Sequence, residues 1–482
     1  MRQQGQALIY GIFIMLGGLA ALFFLFNTGQ LSEEKTKLVT TADAVAYSAG
    51  VMHARALNFD AYNNRALVAN EVLVAQMVSL SSWAQYAQTH AENLPHIFPE
   101  CADPYGFGAA TGAAINYGPL YAAMCYLTVQ YAGEYISGIA SEVPKVTEAV
   151  VTAVEASKAA IKIAETLVHS PLFTNARRSL MQDVANANYL NDGLVTVEPV
   201  GLLTAPSTLK DDWPSFTKRY AGEERGRFAE VAELAAYRDR FVEKRSWNAT
   251  ALIPPLTEPF CAARGRKNEV RRRGGTELIN YDEWKAEDTE SFWRVSDRRR
   301  FGIPVGCRQG ETPIAWGEQQ AHPSDDDQDD SEATLGGSPS TNPQAHGRAS
   351  SEDWTGYTGL PSFYDLSSNI LKQDDPRLRF TVRVARPTGQ TKTSGERSQI
   401  PQSPNLNTYQ SNFASGEMVA LASSEVYFER PAAEKDNLFG KVTGKPRELG
   451  SLFNPYWQVR LVQPTAAELQ NQQTRQGAVI PD

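Results

Sequence analysis

The sequence lacks the motifs by which many enzymes are recognised. Its 482 residues contain no HExxH pair, no GxSxG elbow, no P-loop lysine motif and no GxGxxG run after a predicted strand, so the usual signatures of metal-dependent, serine-dependent and nucleotide-dependent enzymes are missing. The few histidines are scattered, at His53, His90, His96, His169, His322 and His346. We therefore predict no catalytic residue, no metal site, no cofactor and no enzymatic activity. The alternative is a membrane-tethered periplasmic hydrolase whose active site is assembled from distant residues.

Cysteine is also rare. The four residues, Cys101, Cys125, Cys261 and Cys307, show neither CxxC spacing nor a nearby histidine cluster, so a zinc site is not expected. Outside the cytoplasm they would form disulfides, and Cys101 with Cys125 and Cys261 with Cys307 are the economical pairs among three possible connectivities. In a reducing compartment the alternative is unpaired, buried thiols.

The chain has no overall excess of positive charge. Its formal net charge of -9 argues against nucleic acid as a partner. One basic run nevertheless follows Cys261, and it could bind an acidic partner or lipid head groups. We favour a solvated loop whose charge is balanced by Glu269, Glu277 and the later aspartate-rich tract. The cations of this run are Arg264, Arg266, Lys267, Arg271, Arg272 and Arg273.

One long hydrophobic run is present. Ala7 to Phe26 carries no charge and no proline, and as a helix it would cover about 30 Å, the thickness of a bilayer core. A cleaved signal peptide is the alternative, but its apolar stretch is normally only about 7 to 15 residues long. We therefore predict a transmembrane anchor within residues 1–30, and the few flanking cations modestly favour a cytoplasmic N-terminus.

Behind the anchor, small and apolar residues recur in alternating steps of four and three, the spacing of one helix face. The pattern predicts one long helix, or two collinear helices with a break near Asn58 to Asn64. The helix face is a possible interaction stripe for another protein. Its residues are Leu38, Ala42, Val45, Ala49, Met52, Leu73, Met77 and Leu80.

The fold class that these patterns predict is α+β. A mainly helical stalk and bundle is expected over residues 31–246, including a second long helix that Pro171 ends. A strand-containing extracytoplasmic domain is expected over 247–482, with strands at Leu378 to Val384, Glu425 to Phe428 and Trp457 to Leu461. Within it, the aspartate-rich tract 318–352 is expected to be a disordered loop.

The segments that flank the anchor resemble a known family, TadE/TadG-like Flp pilus-assembly proteins, over roughly the first fifty residues. Before the anchor stands Arg2-Gln3-Gln4-Gly5-Gln6-Ala7, and behind it stands Lys37-Leu38-Val39-Thr40-Thr41-Ala42-Asp43-Ala44-Val45-Ala46. Near the end of the chain, Phe453-Asn454-Pro455-Tyr456-Trp457 is similar to a segment of long TadG-related proteins.

The resemblance implies a single-pass protein of the bacterial inner membrane, with its N-terminus inside and its bulk in the periplasm. It also implies a role in assembling or anchoring the Tad (tight adherence) pilus together with other pilus-assembly or envelope proteins. Two positions depart from the pattern. Processing after Gly5 would put Tyr10 where pilins carry a glutamate, so we do not expect incorporation into a filament. Asp365-Leu366-Ser367-Ser368-Asn369 ends in asparagine, unlike the DxSxS metal motif of many TadG proteins, so we predict no such site.

Overall fold

The computed structural model describes residues 6–97, 138, 140–198, 211–250, 259–324, 341–351, 353–387, 390, 417–429 and 449–475. Its α-helices are α1 (Gln6–Ile97), α2 (Val143–Val168), α3 (Pro171–Asn188), α4 (Trp213–Phe216), α5 (Gly226–Ala236), α6 (Arg240–Glu243), α7 (Pro259–Ala262), α8 (Pro343–His346) and α9 (Ala466–Arg475). Its strands are β1 (Thr196–Glu198), β2 (Thr217–Tyr220), β3 (Trp247–Thr250), β4 (Glu269–Ile279), β5 (Glu283–Arg300), β6 (Ile303–Ala321), β7 (Asp353–Trp354), β8 (Phe363–Leu366), β9 (Arg377–Pro387), β10 (Glu417–Phe428) and β11 (Trp457–Val462).

The chain forms two compact units, and each contains both helices and strands. Unit 1 consists of residues 1–62, 165–219 and 364–482, and unit 2 consists of residues 63–164 and 220–363. This division differs from the expected succession of a helical part up to residue 246 and a strand domain after it. The difference arises from long-range strand pairing, such as that of β1 with β9 in unit 1, which local periodicity does not reveal. The α+β class is confirmed.

α1 is one continuous helix of 92 residues. Its first proline is Pro95, near its C-terminal end, and it is rich in alanine, the best helix-forming residue. The break considered near Asn58 does not occur. Instead, Asn58 Nδ2 donates to the backbone oxygen of Trp457, and Asn58 Oδ1 accepts from the backbone nitrogen of Trp457, both at 2.9 Å. The side chain of Asn58 thereby holds the first residue of β11.

The buried face of α1 follows the period of a straight helix rather than the alternating steps of the predicted stripe. Leu38 is fully buried, but Leu80 is only partly buried, as are the stripe residues Met52, Leu73 and Met77. An α-helix drifts by about 20° per heptad against a 3.5-residue repeat, or about 120° over roughly six heptads. In the second half of the stripe, the buried face of the helix therefore lies one position further along the chain. The buried residues there include His53, Asp60, Asn64, Val74, Val78 and Ser81.

Unit 1 is built on an antiparallel sheet in the order β1-β9-β10-β11. The predicted strand from Leu378 to Val384 is confirmed as part of β9, where its alternating apolar side chains are fully buried. β10 ends at Phe428, as predicted. One apolar core contains residues of α1, α3 and this sheet, among them Leu38, Ala42, Val45, Ala49, Met181, Ala185, Phe380, Val382 and Val384.

Unit 2 is built on a five-stranded sheet in the order β3-β4-β5-β6-β7, antiparallel except for the β6–β7 pair. The later part of α1 runs antiparallel to α2, because Asn70 Nδ2 donates to Ser157 Oγ while Val78 shares a core with Val151. At its other end, α2 stops at Val168. Pro171 is then the first residue of α3, a position that suits proline because it needs no backbone donor.

One of the two predicted disulfides is present in unit 2. Cys261 in α7 is bonded to Cys307 in β6, with a distance of 5.8 Å between their Cα atoms. Cys101 and Cys125, the other predicted pair, lie outside the described residues.

The prediction of a disordered loop over 318–352 was wrong at both ends of that range. β6 continues through Gln319 to Ala321, and α8 begins at Pro343. The polar side chains at the first end are buried because they have partners: Gln319 Oε1 accepts from Ser81 Oγ at 3.0 Å, and Glu318 Oε1 accepts from Gln320 Nε2 at 2.9 Å. Residues 325–340 and 352 lie outside the described residues.

Candidate membrane anchor and its junction with unit 1

The first part of α1 exposes a continuous set of large apolar side chains. Leu8, Phe13, Ile14 and Leu25, for example, are 69, 68, 76 and 68 % exposed. In the described part of the chain, one helix is long and apolar enough to span a bilayer, and its most apolar 18-residue window is 0 % buried. The helix of a soluble core would bury that window. Its exposure therefore favours a membrane anchor or a signal sequence.

A cluster of charged side chains joins α1 to unit 1 about two to three turns beyond the apolar segment. Lys37 Nζ donates to Asp192 Oδ2 at 2.5 Å. Arg386 Nη1 lies 3.6 Å from Glu34 Oε2 and 3.7 Å from the same Asp192 oxygen. The cations of Lys37 and Arg386 also lie over the ring of Tyr189, at 4.5 and 4.6 Å from its centroid. The cluster therefore connects α1, the end of α3 and β9.

Burial makes this junction energetically demanding. Arg386 is 1 % exposed and Glu34 is 7 % exposed, and burial raises the pKa of the Tyr189 hydroxyl. Next to the cluster, burial lowers the pKa of Lys35, whose ammonium donates to the backbone oxygen of Val419 in β10. Breaking a buried ion pair by removing one partner typically costs about 3 to 5 kcal/mol, so each of these charges depends on its neighbours.

The first half of the predicted interaction stripe is the continuation of this junction. Leu38, Ala42, Val45 and Ala49 are fully buried in the core of unit 1, so they do not form a free surface for another protein. Gly50 allows the helix to approach the sheet closely, because a Cβ atom there would lie 2.5 Å from Val459 Cγ2 and 2.8 Å from Ser424 Oγ.

His53 lies on α1 in unit 1, and its side chain is completely buried. Its Nε2 atom accepts from Arg177 Nη1 at 2.8 Å, and Arg177 in turn donates to both oxygens of Asp211. The imidazole stacks on Trp213 with 5.0 Å between ring centroids. Burial, and then the charge of Arg177, lower the pKa of His53 well below its usual value, so the ring is neutral in the folded protein.

A group in unit 2 could hold a cation, and the sequence interpretation missed it. The ligand atoms of Glu287, Glu318 and His346 all lie within 4.8 Å of one another. They come from β5, β6 and α8, and no local spacing links these elements. His346 Nδ1 lies 2.9 Å from Glu287 Oε1, and Lys285 Nζ lies 3.4 Å from Glu318 Oε1. The side chains present thus already supply positive charge to both carboxylates.

The pKa directions of Glu287 and His346 act differently on charge, because a raised pKa disfavours a charged carboxylate and favours a charged imidazole. Burial raises the pKa of Glu287, and the hydrogen bond that His346 donates to Glu287 raises the pKa of His346. Elsewhere, Asp365 in the string compared with the DxSxS motif is buried, and its Oδ1 atom accepts from the backbone nitrogens of Leu366 and Leu452 at 2.8 and 3.0 Å. That carboxylate therefore fixes backbone in unit 1.

Together these features describe an α+β protein with an exposed apolar N-terminal segment that continues as one helix into its folded core. Residues 5–56 match a family model described as "Putative Flp pilus-assembly TadE/G-like". The match spans the apolar segment, the junction residues Glu34 and Lys37, and the buried stripe up to Ala49, and it confirms the predicted resemblance of the N-terminal segment. Comparison with curated proteins and with solved structures gave no match.

Proposed function

We propose that the protein is a membrane-anchored component of Flp pilus assembly that acts as a scaffold rather than as a catalyst. The proposal rests on one observation: the family match and two structural features of α1 fall in the same segment of the chain. The segment that matches the pilus-assembly family, residues 5–56, is also the segment that contains the exposed apolar helix and the part of α1 packed into unit 1. A pilus-assembly role would use both halves of that segment.

In the proposed topology the chain crosses the inner membrane once, through Ala7 to Phe26, with its N-terminus inside and both units in the periplasm. The Cys261–Cys307 disulfide supports an oxidising location for unit 2. A scaffold must hold its folded part at a fixed position relative to the membrane. The unbroken helix, the buried ion pair of Glu34 and the partly buried ion pair of Lys37 provide a stiff connection of that kind.

The exposed side of the matched segment is where a partner would bind. Because the first half of the stripe is buried, we place the contact with other pilus-assembly or envelope proteins at side chains such as Val39 and Tyr47, which are 39 and 46 % exposed. A photo-crosslinking residue at Tyr47 should capture a pilus-assembly protein in cells. The same residue at Leu234, which is exposed in unit 2, serves as the control for random capture.

Deletion of the gene should abolish Flp pili on the cell surface, and the wild-type gene should restore them. A deletion strain with normal pili, together with no specific crosslink from Tyr47, would contradict the proposed function.

The anchor can be separated from a signal peptide by two measurements. A retained anchor gives a membrane-extracted protein with the full mass of 53.0 kDa, whereas a cleaved signal would shorten the chain by the apolar segment. Leu16→Arg places a charge in the middle of the span, at a cost of about 2.5 to 3.5 kcal/mol for insertion, and should reduce the membrane-bound fraction. Recovery of a shortened protein in the soluble periplasmic fraction would show that no anchor is retained.

A further inference from the structure

The hairpin of β5 and β6 in unit 2 ends in a tip of exposed apolar side chains. Phe301 is 94 % exposed, and Ile303 and Val305, on alternate positions of β6, are 66 and 53 % exposed. Arg300 pairs with Ile303 in the ladder, so Phe301 and Gly302 form a two-residue turn. These apolar groups lie outside every apolar core described above.

The backbone of this turn is unfavourable for phenylalanine. The φ angles of Phe301 and Gly302 are +52° and +80°, so both central residues adopt the left-handed conformation of a type I′ turn. Asn-Gly is the preferred sequence for that turn, whereas a bulky side chain at positive φ is an outlier. Arg300 lies over the ring, with its Cζ atom 5.7 Å from the centroid, but this contact leaves the ring 94 % exposed. Neither core packing nor turn geometry accounts for an aromatic ring at this position, which points to a function for the ring itself.

Cations surround the tip. The disulfide ties Cys261, which begins the basic loop, to Cys307 in β6, and a cavity of about 460 Å³ beside it is lined by Arg266, Lys267 and Arg308. Two carboxylates of the described residues lie nearby, and each has a cationic neighbour: Asp297 is 3.8 Å from Arg299, and Glu269 binds Arg271. The exposed cations of this end are Arg264, Arg266, Lys267, Arg298, Arg299, Arg300 and Arg308.

We propose that this end of unit 2 binds the surface of an anionic phospholipid bilayer. Phe301 and Ile303 would enter the boundary between head groups and acyl chains, while the surrounding arginines contact lipid phosphates. An aromatic tip with adjacent cations satisfies both parts of a membrane interface, since the ring gains from leaving water and each cation gains from the anionic surface. The contact is separate from the N-terminal anchor and does not depend on the proposed function.

The shape of the tip favours a lipid surface over a protein. A stable protein partner normally covers about 800 Å² on each side of an interface, and a two-residue turn with two flanking side chains is a narrow projection. A bilayer needs no complementary pocket, because its interface closes around an inserted ring. The excess of exposed cations over carboxylates complements a surface of dense negative charge.

The test uses the full chain embedded in nanodiscs of phosphatidylcholine, so that the apolar segment is already occupied. Flotation then measures binding to separate vesicles, made either of phosphatidylcholine or of phosphatidylcholine mixed with phosphatidylglycerol. We expect binding to the anionic vesicles alone, with an affinity that falls as salt is added. Phe301→Asn should weaken binding by about tenfold through lost apolar insertion. Arg299→Gln and Arg300→Gln should each weaken it by about fivefold.

Phe301→Asn separates a loss of binding from a loss of folding, because Asn-Gly suits the turn. The thermal stability of this variant should therefore be equal to or above that of the wild type. Matched controls in unit 1 are Leu190→Asn, at a side chain that is 77 % exposed, and Arg178→Gln, at an exposed cation. Both controls should bind like the wild type. Equal binding to both kinds of vesicle, or an unchanged affinity of Phe301→Asn, would overturn the proposal. So would competition by inorganic phosphate that abolishes binding at constant ionic strength, which would assign the cavity to the free anion.

Discussion

Replacing Lys158 by methionine should destabilise unit 2 strongly, because it leaves a buried carboxylate without its counter-charge. Lys158 Nζ lies 2.8 Å from Glu71 Oε1 and 2.7 Å from Glu155 Oε1, and it donates to the backbone oxygen of Gly359 at 2.8 Å. Lys158 is 2 % exposed and Glu71 is fully buried. Methionine fills a similar volume but carries no charge and donates no hydrogen bond.

The magnitude follows from what Glu71 retains. Breaking a buried ion pair typically costs about 3 to 5 kcal/mol. Glu71 Oε2 still accepts from the Trp284 indole at 3.1 Å and from the Tyr357 hydroxyl at 2.7 Å, so we expect a value near the lower end, about 3 kcal/mol. For a unit of this size the melting temperature should fall by about 6 to 12 °C.

Because the chain has two units, the assay must report on unit 2 alone. Hydrogen exchange followed by mass spectrometry gives opening free energies for peptides from 63–164 and 220–363, the residues of unit 2. Lys145→Met is the matched control: its partner Glu142 is 3.2 Å away, but both side chains are more than 65 % exposed, so the loss should stay below about 1 kcal/mol. Adding Glu71→Gln to Lys158→Met should recover part of the stability. A loss below about 1 kcal/mol for Lys158→Met alone would refute this account of the buried pair.

Three further predictions concern other features. Because the pKa of His53 is lowered in the folded protein, the unfolded chain binds more protons below about pH 6.5. The free energy of unfolding of unit 1 should therefore decrease as the pH is lowered below that value, by up to about 1.4 kcal/mol for each pH unit. His53→Gln should remove that pH dependence. Gly50→Ala should destabilise unit 1 by about 1 kcal/mol in chemical denaturation, since overpacking outweighs the gain in helix propensity. Gly29→Ala, with open space around the added Cβ atom, should be neutral or stabilising in that assay. Removing the 46-residue Cys261–Cys307 link by double alanine substitution should lower the stability of unit 2 by up to about 4 kcal/mol, and a change below about 1 kcal/mol would contradict it.

Much of the fold could be predicted from periodicity and from proline. Alternating apolar residues identified β9 at Phe380 and Val382, and Pro171 marked the junction of two helices. Periodicity and proline predict these elements because both depend on residues that are close together in the sequence. The assembly of unit 1 from residues 1–62, 165–219 and 364–482 depends on pairing between distant strands, and local pattern carries no information about it.

The candidate anchor was visible in the sequence, but its junction was not. Twenty uncharged residues identify a possible span by length alone. Lys37, Asp192 and Arg386 come together only when α1 lies on the sheet. The stripe shows the same limit: apolar spacing located Leu38 correctly, and the difference between 3.5 and 3.6 residues per turn then moved the buried face away from Leu80.

Two kinds of local misfit remain in the chain, and they have different meanings. Asp60 and Glu71 on α1 are polar residues in a buried face, yet each has partners inside the protein, such as His169 at 2.9 Å from Asp60. Their presence is therefore explained by folding. Phe301 is an apolar residue in an exposed turn whose backbone favours asparagine, and the core gains nothing from it. Its contact within the protein is with Arg300, whose Cζ atom lies 5.7 Å from the ring centroid, and this contact leaves the ring 94 % exposed. Because a native sequence is locally consistent except where function requires otherwise, a misfit that core packing does not explain is the stronger indication of an external partner, and here its chemistry matches a lipid interface.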